Sequence, residues 1–228
     1  MEPFLSKKRH LFRSTCFFSI FDKLYRIFLF CVSLFLSVTI FTAKNWDIFM
    51  SLAHPERIFL VGPMGCGKTT IGKSLALISS RPFIDLDEEI VAFCKTSIPE
   101  IFKKEGEIGF RKQETLALKR SLSYEAVVAT GGGIVVTKEN IDLLKNNGLV
   151  VYLYADVETQ YQRTLNDNGR PMIYAEDRKQ RLSDIFDYRK PLFESVADIT
   201  VDSGSHSVRE CIELIQSKLE ELTCKVSQ

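Results

Sequence analysis

The chain has 228 residues, of which 45% are hydrophobic, enough for one large domain with a sizeable core or for one domain and an appendage. A formal net charge of +1 removes any electrostatic argument for nucleic acid. The six cysteines, Cys16, Cys31, Cys66, Cys94, Cys211 and Cys224, form no Cys-x-x-Cys pair and no metal-ligand spacing, and read as reduced thiols of a cytosolic protein.

Composition changes near Met50. Before it, Lys7, Lys8, Arg9, Arg13, Lys23 and Arg26 precede an uncharged run from Ile27 to Ala43 that is rich in Phe, Leu, Ile and Val. As a helix this run spans roughly 25 Å, slightly short of a bilayer core of about 30 Å. The basic residues suit a membrane anchor or an uncleaved signal, yet an anchor with a cytoplasmic N-terminus would carry the rest of the chain away from ATP. Three resolutions stand: a topology inverted by Lys44 and the basic body, a targeting segment, or an extension outside the working protein. We expect the last, with residues 1–49 dispensable or an over-long gene start and Met50 a natural beginning.

From Met50 onward, short apolar runs alternate with longer amphipathic stretches. Arg57–Val61 reads as a buried strand, and the helix-period residues from Lys68 to Ser79 as the helix after it. Between them, Gly62-Pro63-Met64-Gly65-Cys66-Gly67-Lys68-Thr69 fits the phosphate-loop spacing of Gly, four residues, Gly-Lys-Ser/Thr. Gly62, Gly65 and Gly67 allow positive φ, so backbone N–H groups can curl toward an anion at the positive end of the helix dipole. Lys68 supplies a charge for the β- and γ-phosphates and the Thr69 hydroxyl a ligand for Mg²⁺. The same environment would favour a thiolate at Cys66. A small residue that merely fits the loop is the simpler account of that cysteine.

Further strands are expected at Pro82–Asp85, Ala126–Thr130, Leu149–Tyr154 and Asp198–Val201. Helices are expected at Ser97–Glu105, Phe110–Leu122, Lys138–Asn146, Val157–Leu165 and Ser207–Leu222. This alternation predicts an α/β fold, a parallel five-stranded sheet with helices on both faces, with ligands at the carboxyl ends of the strands. Without repeats or low-complexity linkers, residues 50–228 read as one domain.

Four more clusters carry chemistry. Asp85 and Asp87 close the second strand, where one acid can hold Mg²⁺ through water and the other can face a substrate hydroxyl. Arg111 and Glu114, three apart after Gly106-Glu107-Ile108-Gly109-Phe110, can pair on one helix face, although taken alone such a pair is usually superficial. Gly131, Gly132 and Gly133 follow a Val-rich strand and allow a backbone to approach a ligand closely. Arg163 falls late in a helix, Arg170 lies in the loop-like stretch from Asn166 to Asp177, and Arg189 precedes Lys190-Pro191. A movable arginine suits phosphoryl transfer, which spreads charge over oxygens while water is excluded.

In joint order and spacing these clusters resemble the shikimate kinase family of aromatic amino-acid biosynthesis. The resemblance runs from about Arg57 to the last helix. It implies a P-loop three-layer sandwich like that of nucleoside monophosphate kinases, a substrate-binding subdomain at about residues 88–120, and a mobile lid at about 166–177. It implies ATP and Mg²⁺, with transfer of the γ-phosphoryl group to the 3-hydroxyl of shikimate. Gly65, Cys66, Gly67, Lys68, Thr69 and Thr70 would hold the ATP phosphates, Thr69 and Asp85 the metal, and Arg163 the adenine side. Lys68, Asp87 and the lid's Arg170 would be catalytic. Asp87 would bind the ring hydroxyls, Arg111 and Arg189 would clamp the carboxylate, and Gly132 would donate its N–H between Gly131 and Gly133. Cys66 replaces the usual Ala or Ser of the loop, and the match near Ser205-His206 is too loose to assign a residue over adenine. The expected state is a cytoplasmic monomer without nucleic acid, any membrane contact being confined to residues 27–43. The alternatives are a gluconate kinase, a nucleoside monophosphate kinase, or a catalytically silent nucleotide-binding protein at a membrane. The Asp85/Asp87 pair disfavours the second, and the intact Lys68, Asp87 and Arg170 disfavour the third.

Overall fold

The computed structural model describes residues 56–165 and 177–226. Internal contacts divide the chain into residues 1–53 and 54–228, and every described residue belongs to the second unit. The expectations for residues 1–49 and for Arg170 therefore lie outside the described residues. Among the described residues no helix is long and apolar enough to cross a membrane.

Five strands, β1 (Ile58–Val61), β2 (Phe83–Asp85), β3 (Val127–Ala129), β4 (Leu149–Tyr154) and β5 (Ile199–Asp202), form one parallel sheet in the order β2-β3-β1-β4-β5. All four residues of β1 are buried, as a central strand covered on both faces must be. Alternation along it feeds two cores. Phe59 and Val61 join Leu86, Ile90, Leu118 and Phe193 on one side, whereas Ile58 and Leu60 join Ile71, Leu75 and Ile215 on the other. Because β1 lies between β3 and β4, its carboxyl end opens where the connections diverge, the usual ligand position in such sheets.

The helices are α1 (Lys68–Ile78), α2 (Leu86–Cys94), α3 (Ile98–Ser121), α4 (Lys138–Asn147), α5 (Val157–Thr164), α6 (Arg178–Val196) and α7 (Val208–Val226), with a 3₁₀ turn at Ile134–Val136. Most expected elements are present within a residue or two, and α7 continues four residues beyond Leu222. Three differences have physical causes. The two helices expected at Ser97–Glu105 and Phe110–Leu122 form one helical run, α3, interrupted only by Gly106 at φ 69° and ψ −173°. Helix resumes at Glu107, a turn earlier than expected, and this sets Glu107 on the same face as Arg111.

The sequence reading contained no α2. Asp85 ends β2 and also caps this helix, accepting from the Asp87 N–H at 3.1 Å, and Asp87, Glu88 and Glu89 suit its first-turn dipole. Helix α6 is likewise not among the expected elements, and Pro191 sits inside it. Proline removes the hydrogen bond to the carbonyl four residues back, that of Asp187. Asp187 and Pro191 are both exposed, so water can serve that carbonyl.

Buried Phe193 of α6 stacks on Tyr152 of β4 with ring centroids 5.2 Å apart and holds α6 against the sheet. Phe193→Ala is expected to cost about 3–5 kcal/mol of stability, read from the denaturation midpoint at constant m-value. A loss below about 1 kcal/mol would show that α6 is held elsewhere.

Candidate functional site

The β1–α1 loop has the backbone its glycines imply, with positive φ at Gly62 (147°), Gly65 (75°) and Gly67 (88°). A Cβ on Gly62 would strike the Leu153 carbonyl, so that glycine also answers a close approach to β4. Gly67 is the N-cap of α1, which has no side-chain cap and no acidic residue in its first turn. The N-terminal N–H groups of α1 are thereby left to an anion. Lys68 Nζ reaches back over the loop to the carbonyls of Gly62 and Pro63 at 2.9 and 2.8 Å, with Cys66 Sγ at 3.6 Å. Thr70 is exposed in the first turn of α1. Cys66 is fully buried in the core beneath the loop, where a solvent oxidant does not reach it.

The two aspartates diverge. Asp85 Oδ2 accepts from Thr69 Oγ1 at 2.9 Å, joining β2 to the phosphate loop. Asp87 turns to the segment after β3, where its Oδ1 lies 3.1 Å from the position a Gly131 Cβ would take.

That segment, Gly131–Gly133, is where the remaining side chains meet. A Cβ on Gly131 would also lie 2.7 Å from Glu114 Oε1, and one on Gly133 would collide with the Arg111 guanidinium. Arg189 Nη1 donates to the Gly132 carbonyl at 3.0 Å. The expected roles of Gly132 and Arg189 toward a ligand are thus preceded by a bond between them. Arg111 donates to Glu114 Oε2 at 2.8 Å and through Nη2 to Glu107 Oε1 at 3.1 Å.

The Arg111–Glu114 pair is no surface pair, since Glu114 is completely buried. Burial pushes its carboxyl above the ordinary carboxylate range, Asp87 adds to this, and Arg111 opposes it. Arg189 is 6% exposed, and burial followed by the neighbouring Arg111 charge lowers its pKa to about 10. Glu114 Oε1 and Arg189 Nε have no hydrogen-bond partner among the described residues. A small anion with hydroxyl groups would serve both, accepting from Arg189 and donating to Glu114. Pro63, Met64, Ile185 and Phe186 supply an apolar wall to the cleft beside Arg189.

Arg163 spans two backbone carbonyls, those of Gly65 at 3.2 Å and Ser203 at 2.9 Å. Ser203 follows β5 and escaped the sequence reading, since a serine in a polar turn carries no motif. The i, i+3 spacing pairs Glu114 with Arg111 but does not mark its burial.

A loop that cradles phosphates, set beside a pocket for a small anion, is what a P-loop kinase of small molecules requires, and this chain is one of that class. A family model described as shikimate kinase matches residues 64–220. The shikimate kinase of Bordetella avium is 44% identical over 170 residues, covering 74% of this chain and 81% of the relative. That of Acinetobacter baumannii (strain AYE) is 45% identical over 159 residues, covering 69% and 88%. Among solved structures, a shikimate kinase from A. baumannii in complex with shikimate aligns with a TM-score of 0.71 at 43% identity, covering 74% of this chain and 94% of that one. One from Aquifex aeolicus aligns with a TM-score of 0.64 at 33% identity, covering 72% and 96%. The chain belongs to the shikimate kinase family.

Keeping Arg189 charged in a buried site opposes folding, so Arg189→Met is expected to leave the unliganded protein at least as thermostable as the wild type. The same change should weaken binding of a small carboxylate by about 30-fold or more, measured by calorimetric titration. Loss of stability with unchanged binding would show that Arg189 is structural.

Proposed function

We propose that this chain transfers the γ-phosphoryl group of ATP to the 3-hydroxyl of shikimate, giving shikimate 3-phosphate and ADP in the route to chorismate and the aromatic amino acids. The observation that carries this reading is the convergence of Arg111, Arg189, Asp87 and Glu114 on Gly131–Gly133 beside the phosphate loop. The solved relative in complex with shikimate supports the choice of acceptor.

In this reading Arg111 and Arg189 bind the carboxylate through planar, charge-assisted contacts, and the glycine segment lets the ring lie against backbone. Asp87 holds the acceptor hydroxyl and receives or orients its proton as the oxygen attacks. Lys68 turns from the loop carbonyls to the transferred group, where it meets the charge that spreads over the phosphoryl oxygens. Gly65, Cys66, Gly67, Thr69 and Thr70 hold the phosphates, and Arg163 borders the adenine side.

Thr69 Oγ1 and Asp85 Oδ2, 2.9 Å apart, are hard oxygen donors that fit Mg²⁺, the hydroxyl directly and the carboxylate through water. Bound there with ATP, the ion supplies neutralisation of phosphate charge. Family resemblance assigns Arg170 to the lid at about 166–177 and residues 88–120 to the substrate-binding subdomain, within which α3 carries Arg111 and Glu114, with Asp87 just before it at the start of α2. The working unit in this reading is a monomer, and the need for ATP supports a cytoplasmic location.

The test is ADP release by the full chain with ATP and Mg²⁺, offered shikimate, gluconate or no acceptor. Release is expected with shikimate alone, and release with gluconate instead would move the reading to a gluconate kinase. Lys68→Ala and Asp87→Ala are each expected to lower kcat by about a thousandfold or more with the fold intact. Activity near wild type in either would overturn its assignment.

Arg111→Lys keeps a cation beside buried Glu114 but loses the planar fork. It should raise KM for shikimate by about tenfold and leave KM for ATP nearly unchanged. An equal rise in both constants would argue against a carboxylate clamp.

A further inference from the structure

Two peptide planes of the phosphate loop are held from outside it. The Gly65 carbonyl accepts from Arg163 Nη1 at 3.2 Å, and the Cys66 carbonyl accepts from the Ser203 hydroxyl at 2.7 Å. Arg163 Nη2 also donates to the Ser203 carbonyl at 2.9 Å, which closes loop, α5 and the end of β5 into one linkage.

The direction of these bonds matters more than their number. In a trans peptide the C=O and the following N–H point in opposite directions, and the described chain has no cis peptide bond. Holding the Gly65 and Cys66 carbonyls toward α5 and β5 therefore turns the N–H groups of Cys66 and Gly67 the other way, to the side of an anion in the loop. At the start of the loop the sense is reversed, since the Gly62 and Pro63 carbonyls face Lys68 Nζ. The loop thus changes polarity between Pro63 and Gly65, and the outer clamps hold the half that offers N–H groups.

Ser203 is suited to this task. Its hydroxyl has one proton, for which two carbonyls compete, that of Cys66 at 2.7 Å and that of Tyr154 at 2.8 Å. The Tyr154 carbonyl also accepts from the Ser203 backbone N–H at 2.8 Å and so keeps a donor when the hydroxyl proton goes to Cys66. Ser203 is 2% exposed, so water cannot replace the hydroxyl if it is removed. The turn beyond it is set by Asp202, which accepts from the N–H groups of Gly204 and Ser205 and from the Ser205 hydroxyl.

We infer that Ser203 is a positioning residue for the nucleotide phosphates, acting through the peptide after Cys66 and touching no ligand itself. This rests on the phosphate-binding role of the loop given above but not on the identity of the acceptor. Without the hydroxyl, the buried Cys66 carbonyl loses its donor, its peptide is free to turn, and the Gly67 N–H leaves the anion's side.

The test is equilibrium binding to the full chain, with MgADP and shikimate titrated separately. Ser203→Ala is expected to weaken MgADP about fivefold or more and to change shikimate affinity by less than about twofold, while Ser203→Thr, which keeps the hydroxyl, binds MgADP like the wild type. Unchanged MgADP affinity in Ser203→Ala, or an equal loss of both ligands, would overturn the proposal. If the alanine variant does not fold, Ser203→Cys, with its weak donor, should bind MgADP with intermediate affinity, and wild-type affinity there would overturn it. Wild-type protein that binds MgADP but does not phosphorylate shikimate would defeat the assigned reaction and leave the role of Ser203 standing.

Discussion

The approach of the Gly131–Gly133 backbone to four ionisable side chains is the contact on which the rest of the site depends. Asp87 comes from α2, Arg111 and Glu114 from α3, and Arg189 from α6, elements separated by up to a hundred residues of chain. They meet because three consecutive residues without Cβ leave room for carboxylate and guanidinium groups against the main chain. A methyl group at Gly131 would lie within 2.7 Å of Glu114 Oε1, and one at Gly133 would collide with Arg111. The need there is steric, since neither residue has positive φ. Gly106 shows the opposite case, with φ of 69° and nothing within 4 Å of its missing Cβ, so only its backbone conformation demands glycine.

Holding these charges under cover works against stability. Glu114 is fully buried and Arg189 nearly so, and the two arginines lie close enough for Arg111 to depress the Arg189 pKa. A buried ion pair rarely repays its desolvation, and a second cation beside it makes the balance worse. The two cores on either side of the sheet supply the offsetting burial, with Phe59, Leu60, Val128 and Leu153 all inaccessible to solvent. The Arg189 charge, which donates to a backbone carbonyl and is in no ion pair among the described residues, has its use when an anion arrives and meets a group already desolvated and already fixed in direction.

What could be read from the sequence follows the same division. The phosphate loop, Asp85, Asp87, the glycine run and the arginines were legible because their chemistry needs particular residue types at fixed spacings. The central strands were legible because covering on both faces leaves continuous apolar runs. Helix α2 was hidden because its cap, Asp85, is also the last residue of β2. Helix α6 was hidden by Pro191, whose cost falls on a solvated face that the sequence does not mark. The depth of Glu114 was hidden because an Arg–Glu pair three residues apart has the same spacing on a surface and in a core. Ser203 was hidden for a different reason, its partner being a backbone carbonyl 137 positions away that has no side-chain signature.

Adjacent strands explain why so little covalent machinery is needed. The phosphate loop leaves β1 and the glycine segment leaves β3, and these strands pair in parallel with Leu60 opposite Ala129. The join continues past the strand end, where the N–H and the hydroxyl of Thr130 both donate to the Leu60 carbonyl, at 3.1 and 3.0 Å. Neighbouring strands are separated by about 4.8 Å, so in the proposed reaction the loop for the donor and the floor for the acceptor start side by side with the sheet fixing their separation. Sliding one loop past the other would break the ladder between β1 and β3. Position is thus set by the least deformable part of the fold.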